Sequence, residues 1–228
     1  MGADPVWFLQ LRRSLHQGAA RFDLDLQVTA AGRRLALVGP SGAGKTQALK
    51  LIAGIDRADA ARVRIDGHWL EDSERGLRLP PQARRLGVVF QDFALFPHLS
   101  VRQNIAFAGR RGWRNPARDA GGPAVERWLS AFGLAPVAEL YPPQLSGGQR
   151  QRTALARALV TEPRALLLDE PFAALDRGLR EALRAELRAL LADLALPMLL
   201  ITHDEEDLRV LDAEPVRIEA GRVRRESP

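Results

Sequence analysis

The segment 39-GPSGAGKT-46 packs three glycines, a lysine and a threonine into eight residues. An apolar run, 33-RRLALV-38, precedes it, and 46-TQALKLIAG-54 carries Ala48, Leu49, Ile52 and Ala53 at helical spacing, so the pattern predicts strand, glycine loop and helix. Such a loop turns its backbone N–H groups toward one point at the positive end of a helix and makes a phosphate cradle. Gly42 and Gly44 allow the close approach, Lys45 reaches the β- and γ-phosphates, and Thr46 offers its hydroxyl to Mg²⁺.

Two further segments carry compatible chemistry. In 165-ALLLDEP-171 four apolar residues predict a buried strand that presents Asp169 and Glu170 at its C-terminal end, where open α/β sheets bind ligands. Asp169 would hold Mg²⁺, and Glu170 would orient or deprotonate a water aimed at a γ-phosphate. In 145-LSGGQRQRTALARALV-160, Ser146 and two glycines precede a helix with Ala154, Leu155, Ala158 and Leu159 on one face. Ser146 can cap that helix and donate to a phosphate oxygen, while Gly147 and Gly148 leave N–H groups uncovered. A phosphate already held by residues 39 to 46 needs no second cradle from the same molecule. This helix end therefore suits a nucleotide bound by a partner chain.

With these motifs the sequence resembles the nucleotide-binding subunits of ATP-binding cassette (ABC) transporters. GPSGAGKT matches that family's Walker A motif, LSGGQ its signature motif, and ALLLDE its Walker B motif. Gln91 in 88-VVFQD-92 falls at the Q-loop, 173-AALD-176 at the D-loop, and His203 in 201-ITHD-204 at the switch histidine. The resemblance implies Glu170, His203 and Gln91 as the catalytic set, and Thr46, Gln91 and Asp169 around Mg²⁺. It implies contacts to ATP from Gly39, Pro40, Ser41, Gly42, Ala43, Gly44, Lys45, Thr46 and Gln47, and from Ser146, Gly147, Gly148 and Gln149 across a head-to-tail dimer. Three positions depart from the pattern: Gln47 replaces a Ser or Thr and leaves only a backbone donor, Ala173 replaces the D-loop serine, and no tyrosine stands at the adenine. His16 falls closest to that last position, with Phe22 as a stand-in.

The implied fold is α/β: a P-loop NTPase (RecA-like) core, an N-terminal antiparallel β subdomain near 1–70, and a helical subdomain inserted at about 92–160, all in one ABC ATPase domain over 1–228. Apolar runs at 33–38, 165–168 and 198–202, and a helix bearing Leu179, Leu183, Leu187 and Leu194, agree with it. Phe93, Leu95 and Phe96, beside Pro97, read either as an exposed apolar segment or as residues that close the helical lobe; the resemblance implies that this region receives the membrane subunit's coupling helix. The implied partners are a second copy, transmembrane permease subunits and, indirectly, a substrate-binding protein, with no nucleic acid. The implied location is the cytoplasmic face of the cell membrane. The run from Asp66 to Gly109 is similar to the molybdate importer ATPases, and sulfate, thiamine, iron and polyamine importers share parts of it. The resemblance thus implies an ATPase that powers an importer of molybdate or a related oxyanion, the alternatives being one of those other importers or a soluble ABC-type ATPase acting on nucleic acid or ribosomes.

Composition narrows the alternatives. The 228 residues contain no cysteine, which excludes disulfides and thiolate metal sites. The net charge is +5 with a sequence pI near 10.7, but Lys45 and Lys50 are the only lysines and the arginines are interleaved with acids, as in 180-REALRAELRALLADL-194. These read as solvated helix faces. The basic run 110-RRGWRNPAR-118, with Trp113 inside it, reads as a surface loop. No apolar run approaches the roughly 20 residues of a membrane span, and the N-terminus shows neither a signal peptide nor, with Val6, a myristoylation pattern. At the other end 216-VRIEAGRV-223 predicts a hairpin, and 224-RRESP-228 is too short to bury a core, so no cargo-sensing β domain is expected within this sequence.

Overall fold

A computed structural model describes residues 4–17, 20–109, 115–173 and 175–224. Trp113 and the last four residues lie outside them. The chain opens with a long hairpin, β1 (Trp7–Gln17) and β2 (Ala20–Ala30), then enters β3 (Arg34–Val38) and α1 (Lys45–Ala53). It returns through β4 (Ala60–Ile65), β5 (His68–Asp72), β6 (Leu77–Arg78) and the short α2 (Pro81–Arg84) to β7 (Leu86–Val89). Helices α3 (Val101–Phe107), α4 (Pro123–Ala131) and α5 (Gly147–Leu159) follow. The chain closes with β8 (Ala165–Asp169), α6 (Arg177–Leu194), β9 (Met198–Ile201), α7 (Glu205–Leu211), β10 (Glu214–Glu219) and β11 (Arg222–Val223).

The strands form one sheet in the order β6-β5-β4-β1-β2-β11-β10-β3-β9-β8-β7. Its first five strands are antiparallel, and β10, β3, β9, β8 and β7 are parallel. The C-terminal hairpin joins the two halves, since β11 pairs with β2 while β10 pairs with β3. The antiparallel part reaches Arg78 rather than residue 70, and β3 and α1 interrupt it.

Side-chain alternation explains why the parallel strands are apolar throughout. Leu35, Leu37, Ala165, Leu167, Leu199 and Ile201 face a core shared with α1 and the antiparallel strands. Their neighbours Ala36, Leu166, Leu168, Met198 and Leu200 face a second core shared with α5 and α6. Both faces are covered, so a polar residue would find no water on either side. Helix α1 buries Ala48, Leu49, Ile52 and Ala53, the stripe its spacing predicts, and Leu51 besides. Its last carbonyls, on Leu51 and Ile52, accept from the fully buried Arg84, whose guanidinium is paired with Glu71. In α6 the buried stripe is Leu183, Leu187 and Leu191, with Leu179 and Leu194 partly covered. No helix among the described residues is long and apolar enough to cross a membrane.

Candidate functional site

Four parallel strands deliver the sequence motifs to one edge of the sheet. Leu37 and Asp169 both pair with Ile201, and Val89 pairs with Leu168, so β3, β9, β8 and β7 end side by side. The loop after β3 is 39–44, His203 follows β9, Glu170 follows β8, and Gln91 follows β7. Consecutive strands in space come from four distant parts of the chain.

Helix α1 begins at Lys45 with Gly44 as its N-cap, and that cap supplies no side-chain hydrogen bond. The first-turn amides of Lys45, Thr46 and Gln47 therefore point out of the helix toward whatever lies before it. The Lys45 side chain is buried, and its ammonium donates to the carbonyls of Gly39 and Pro40 at 2.8 Å each. It is thus held inside the loop by carbonyls, close enough to Asp169 to favour the charged form of that carboxyl. Phe22 and Leu24 from β2 support the loop from below, lying where a Cβ on Gly44 would fall. Phe22 is consequently packed under the cradle, whereas His16 is exposed on β1, paired with Arg21. The Gln47 side chain turns away and donates to Asp56 at 3.1 Å, which leaves its backbone as the only donor toward the loop.

Asp169 is buried at the end of β8, beside the Thr46 hydroxyl. Burial pushes its carboxyl above the usual range, and the Thr46 hydroxyl partly counters that. Next to it Glu170 adopts φ +45°, a left-handed backbone uncommon for a residue with a side chain, and its N–H donates to the Ile201 carbonyl at 2.9 Å. That turn brings the Glu170 carboxylate 3.4 Å from Nδ1 of the exposed His203.

Behind His203, a buried network fixes the loop. Arg184 of α6 contacts Asp204 and Asp207 at 2.5 Å each, Thr202 donates to Asp207, and Arg180 links Asp204 to the carbonyl of Leu175. Burial raises the Asp207 carboxyl. Asp204 is lowered, because the Glu206 amide and Arg184 outweigh its own burial. Arg180 thereby ties the segment after Ala173 to the segment after His203. Sequence reasoning read these arginines as solvated; Arg184 sits on the same turn as the buried Leu183 and Leu187, but only the packing of α7 against α6 reveals its acidic partners.

Ser146 is the N-cap of α5, and its capping box is complete: Ser146 Oγ accepts from the Gln149 amide at 3.2 Å, and Gln149 Oε1 accepts from the Ser146 amide at 2.9 Å. The hydroxyl proton stays free to donate, and Ser146 is exposed. From the far end of α5, Arg157 donates to the carbonyls of Phe93 and Ala94, fastening this helix to the loop that starts at Gln91. No local pattern in the sequence marks Arg157 for this contact, since its acceptors lie 64 and 63 residues away. Of the two readings of this segment, Phe93 follows the one that closes the helical lobe: it has a left-handed backbone (φ +62°) and is buried in the helical core at 5% exposure. Leu95 and Phe96 are half-buried. Beside them runs a groove of about 1010 Å³ whose walls include Leu86, Val88, Phe90, Phe96, Phe107 and Arg157.

Residues 22–173, two-thirds of the chain and most of these motifs, match the family described as "ABC transporter". The chain belongs to that family. Among similar family members is the sulfate/thiosulfate import ATP-binding protein CysA of Xanthomonas campestris pv. campestris, 44% identical over 93% of this chain and 61% of that protein. The molybdenum import ATP-binding protein ModC 1 of Azotobacter vinelandii is 42% identical over 90% of this chain and 56% of its own length. The spermidine/putrescine import ATP-binding protein PotA of Nitratidesulfovibrio vulgaris is 41% identical over 88% and 52%. The chain thus spans a little over half the length of these curated relatives. The ATP-binding cassette MJ0796, solved as a dimer bound to ADP and Pi, superposes with a TM-score of 0.75 at 28% identity, covering 97% of each chain.

Proposed function

We propose that this chain is the ATP-hydrolysing, nucleotide-binding subunit that powers an ABC importer. The observation that carries the proposal is the gathering of a caged ammonium (Lys45), a hydroxyl–carboxylate pair (Thr46–Asp169) and a carboxylate–imidazole pair (Glu170–His203) at one edge of the sheet. The uncapped first turn of α1 and Lys45 fit a polyphosphate. Among the described residues no cluster of three His, Cys, Asp or Glu could hold a metal alone. Thr46, Asp169 and Gln91 therefore suit Mg²⁺, which keeps waters and phosphate oxygens among its ligands. When bound, Mg²⁺ neutralises charge on the phosphates.

The chain's own residues then have separate tasks. Lys45 and the loop amides hold the β- and γ-phosphates, and Glu170 aligns and deprotonates the attacking water. His203 fixes the Glu170 carboxylate from its far side, and Gln91 closes the site from β7. Ser146, Gly147, Gly148 and Gln149 act on the nucleotide of a second copy, in a head-to-tail dimer. The groove beside Phe96 receives a permease helix, and Arg157 relays its position to α5. The assembly sits at the cytoplasmic face of the membrane, with a substrate-binding protein on the other side and no role for nucleic acid.

For cargo we favour molybdate or a related oxyanion. The run from Asp66 to Gly109 supports this, as do sulfate and molybdenum importers among the similar proteins, although the polyamine relative is only a few per cent less identical. The deciding experiment reconstitutes the chain with the permease encoded beside it and measures phosphate release with Mg-ATP. Stimulation by a binding protein loaded with molybdate or sulfate supports the reading, stimulation by spermidine reassigns the cargo, and absence of phosphate release refutes the ATPase.

A further inference from the structure

The turn between β10 and β11 touches the phosphate loop directly. In the parallel ladder Arg217 lies beside Val38, so the next residue, Ile218, passes Gly39. A Cβ on Gly39, whose φ is +152°, would fall 2.1 Å from the Ile218 carbonyl oxygen, a distance no side chain tolerates. Within the turn the Gly221 N–H donates to the Ala43 carbonyl at 3.1 Å. Gly221 is itself pinned from the opposite side: its carbonyl accepts from the Asp25 amide at 2.8 Å, and a Cβ on it would lie 2.1 Å from the Asp23 carbonyl oxygen. The loop is thus gripped at its first residue by β10 and at its fifth by the hairpin turn.

Resting on the reading that residues 39–47 hold a nucleotide, we propose that Gly221 is a positioning residue for that loop. A carbonyl in a glycine-rich loop must be turned away from the phosphates for the neighbouring amides to face them, because each peptide plane fixes the two groups in opposite directions. The Gly221 N–H captures the Ala43 carbonyl and so sets the plane whose other end is the Gly44 amide. Only a residue without Cβ reaches this place, with φ +79° and the Asp23 backbone alongside. The hairpin also pairs with β2, which carries Phe22 and Leu24 under the same loop, so both sides of the cradle share one support.

The test uses four chains: unmodified, Gly221→Ala, Arg222→Ala as a control at an exposed position of the same hairpin, and Lys45→Ala as a control with weakened nucleotide binding. Because the loop holds the phosphates alike before and during reaction, Gly221→Ala should raise KM for ATP about tenfold with kcat within about twofold, and Arg222→Ala should change neither. In the unmodified chain, Mg-ATP at about ten times its Kd should slow hydrogen exchange of the peptide spanning 216–224 by roughly threefold or more, an effect absent at the same concentration from a Lys45→Ala chain, whose weakened affinity leaves it mostly empty. If the unmodified chain binds a fluorescent ATP analogue yet this exchange is unchanged, the proposal is overturned even should Gly221→Ala fail to fold. Equal KM in a folded Gly221→Ala chain overturns it as well. If the unmodified chain binds no nucleotide at all, the functional reading is what fails, and the positioning role falls with it.

Discussion

The glycine-rich N-termini of α1 and α5 are finished in opposite ways. Helix α1 starts from Gly44 with no side-chain cap, its lysine folded back on loop carbonyls and its base resting on Phe22 and Leu24. Helix α5 starts from Ser146 with both halves of a capping box made, and its serine is exposed. Supported by core, the first end can leave its amides open for a ligand. The second satisfies itself locally, in keeping with a surface that waits for another molecule. A helix end that caps itself still has a hydroxyl proton and the amides of Gly147 and Gly148 to offer, and in the proposed head-to-tail dimer it would meet the nucleotide held at α1 of the other copy.

The sharpest way to stress this comparison is to stop turnover while leaving both ends intact. Glu170→Gln keeps the shape of the carboxylate but cannot accept a proton, so hydrolysis should fall by about 10²–10⁴ while ATP still binds. The nucleotide-bound dimer should then accumulate in size-exclusion chromatography with Mg-ATP; undiminished turnover with monomer alone would remove Glu170 from its assigned role.

A second pair of variants separates the two ends. Lys45→Ala should weaken ATP binding to the isolated monomer by roughly 100-fold, since it deletes the buried ammonium from the loop. Ser146→Arg should leave that affinity within about twofold while hydrolysis by the dimer is lost. Equal weakening of monomer binding by both, measured by titration calorimetry, breaks the division between the ends.

Smaller effects concern stability. Ser146→Ala removes a side-chain cap and should cost about 1 kcal/mol, or roughly 2–4 °C in Tm; Gln149→Ala, which removes only the reciprocal bond, should cost less. The α1 side offers the reverse outcome. The folded-state pKa of Asp169 is raised above its ordinary 3.8, mainly by burial, so its contribution to stability is fully present below that value and is lost as pH rises through the raised pKa. At pH 7 without Mg²⁺ the buried carboxylate therefore opposes folding, and Asp169→Asn should raise Tm by on the order of 1–2 °C. That gain should vanish at pH 3 in thermal melts. A gain that persists there would mean that burial of the charge is not its cause.

Sequence alone determined the elements and supplied the groups proposed to react. The strand, loop and helix around Lys45, the strand ending at Asp169, the cap at Ser146 and the hairpin over 216–223 all formed where short-range patterns predict them. Those patterns are local: a run of apolar residues, a 3.6-residue stripe, a hydroxyl before a helix or a glycine at a turn acts through neighbours a few residues away. Tertiary structure decided which ends meet. The spatial order β3-β9-β8-β7 brings Gln91, Glu170, His203 and Lys45 to one edge, and the strand sequences, apolar on both faces, contain nothing that selects that order. The same holds for Phe93 turning into the core, for Arg157 reaching the Gln91 loop, for Arg184 finding Asp204 and Asp207, and for Gly221 closing on Ala43. Each of these depends on register and on how layers pack, and therefore on atoms supplied by remote segments. A guanidinium or a backbone amide carries no sign of its eventual acceptor until the chain has folded around it.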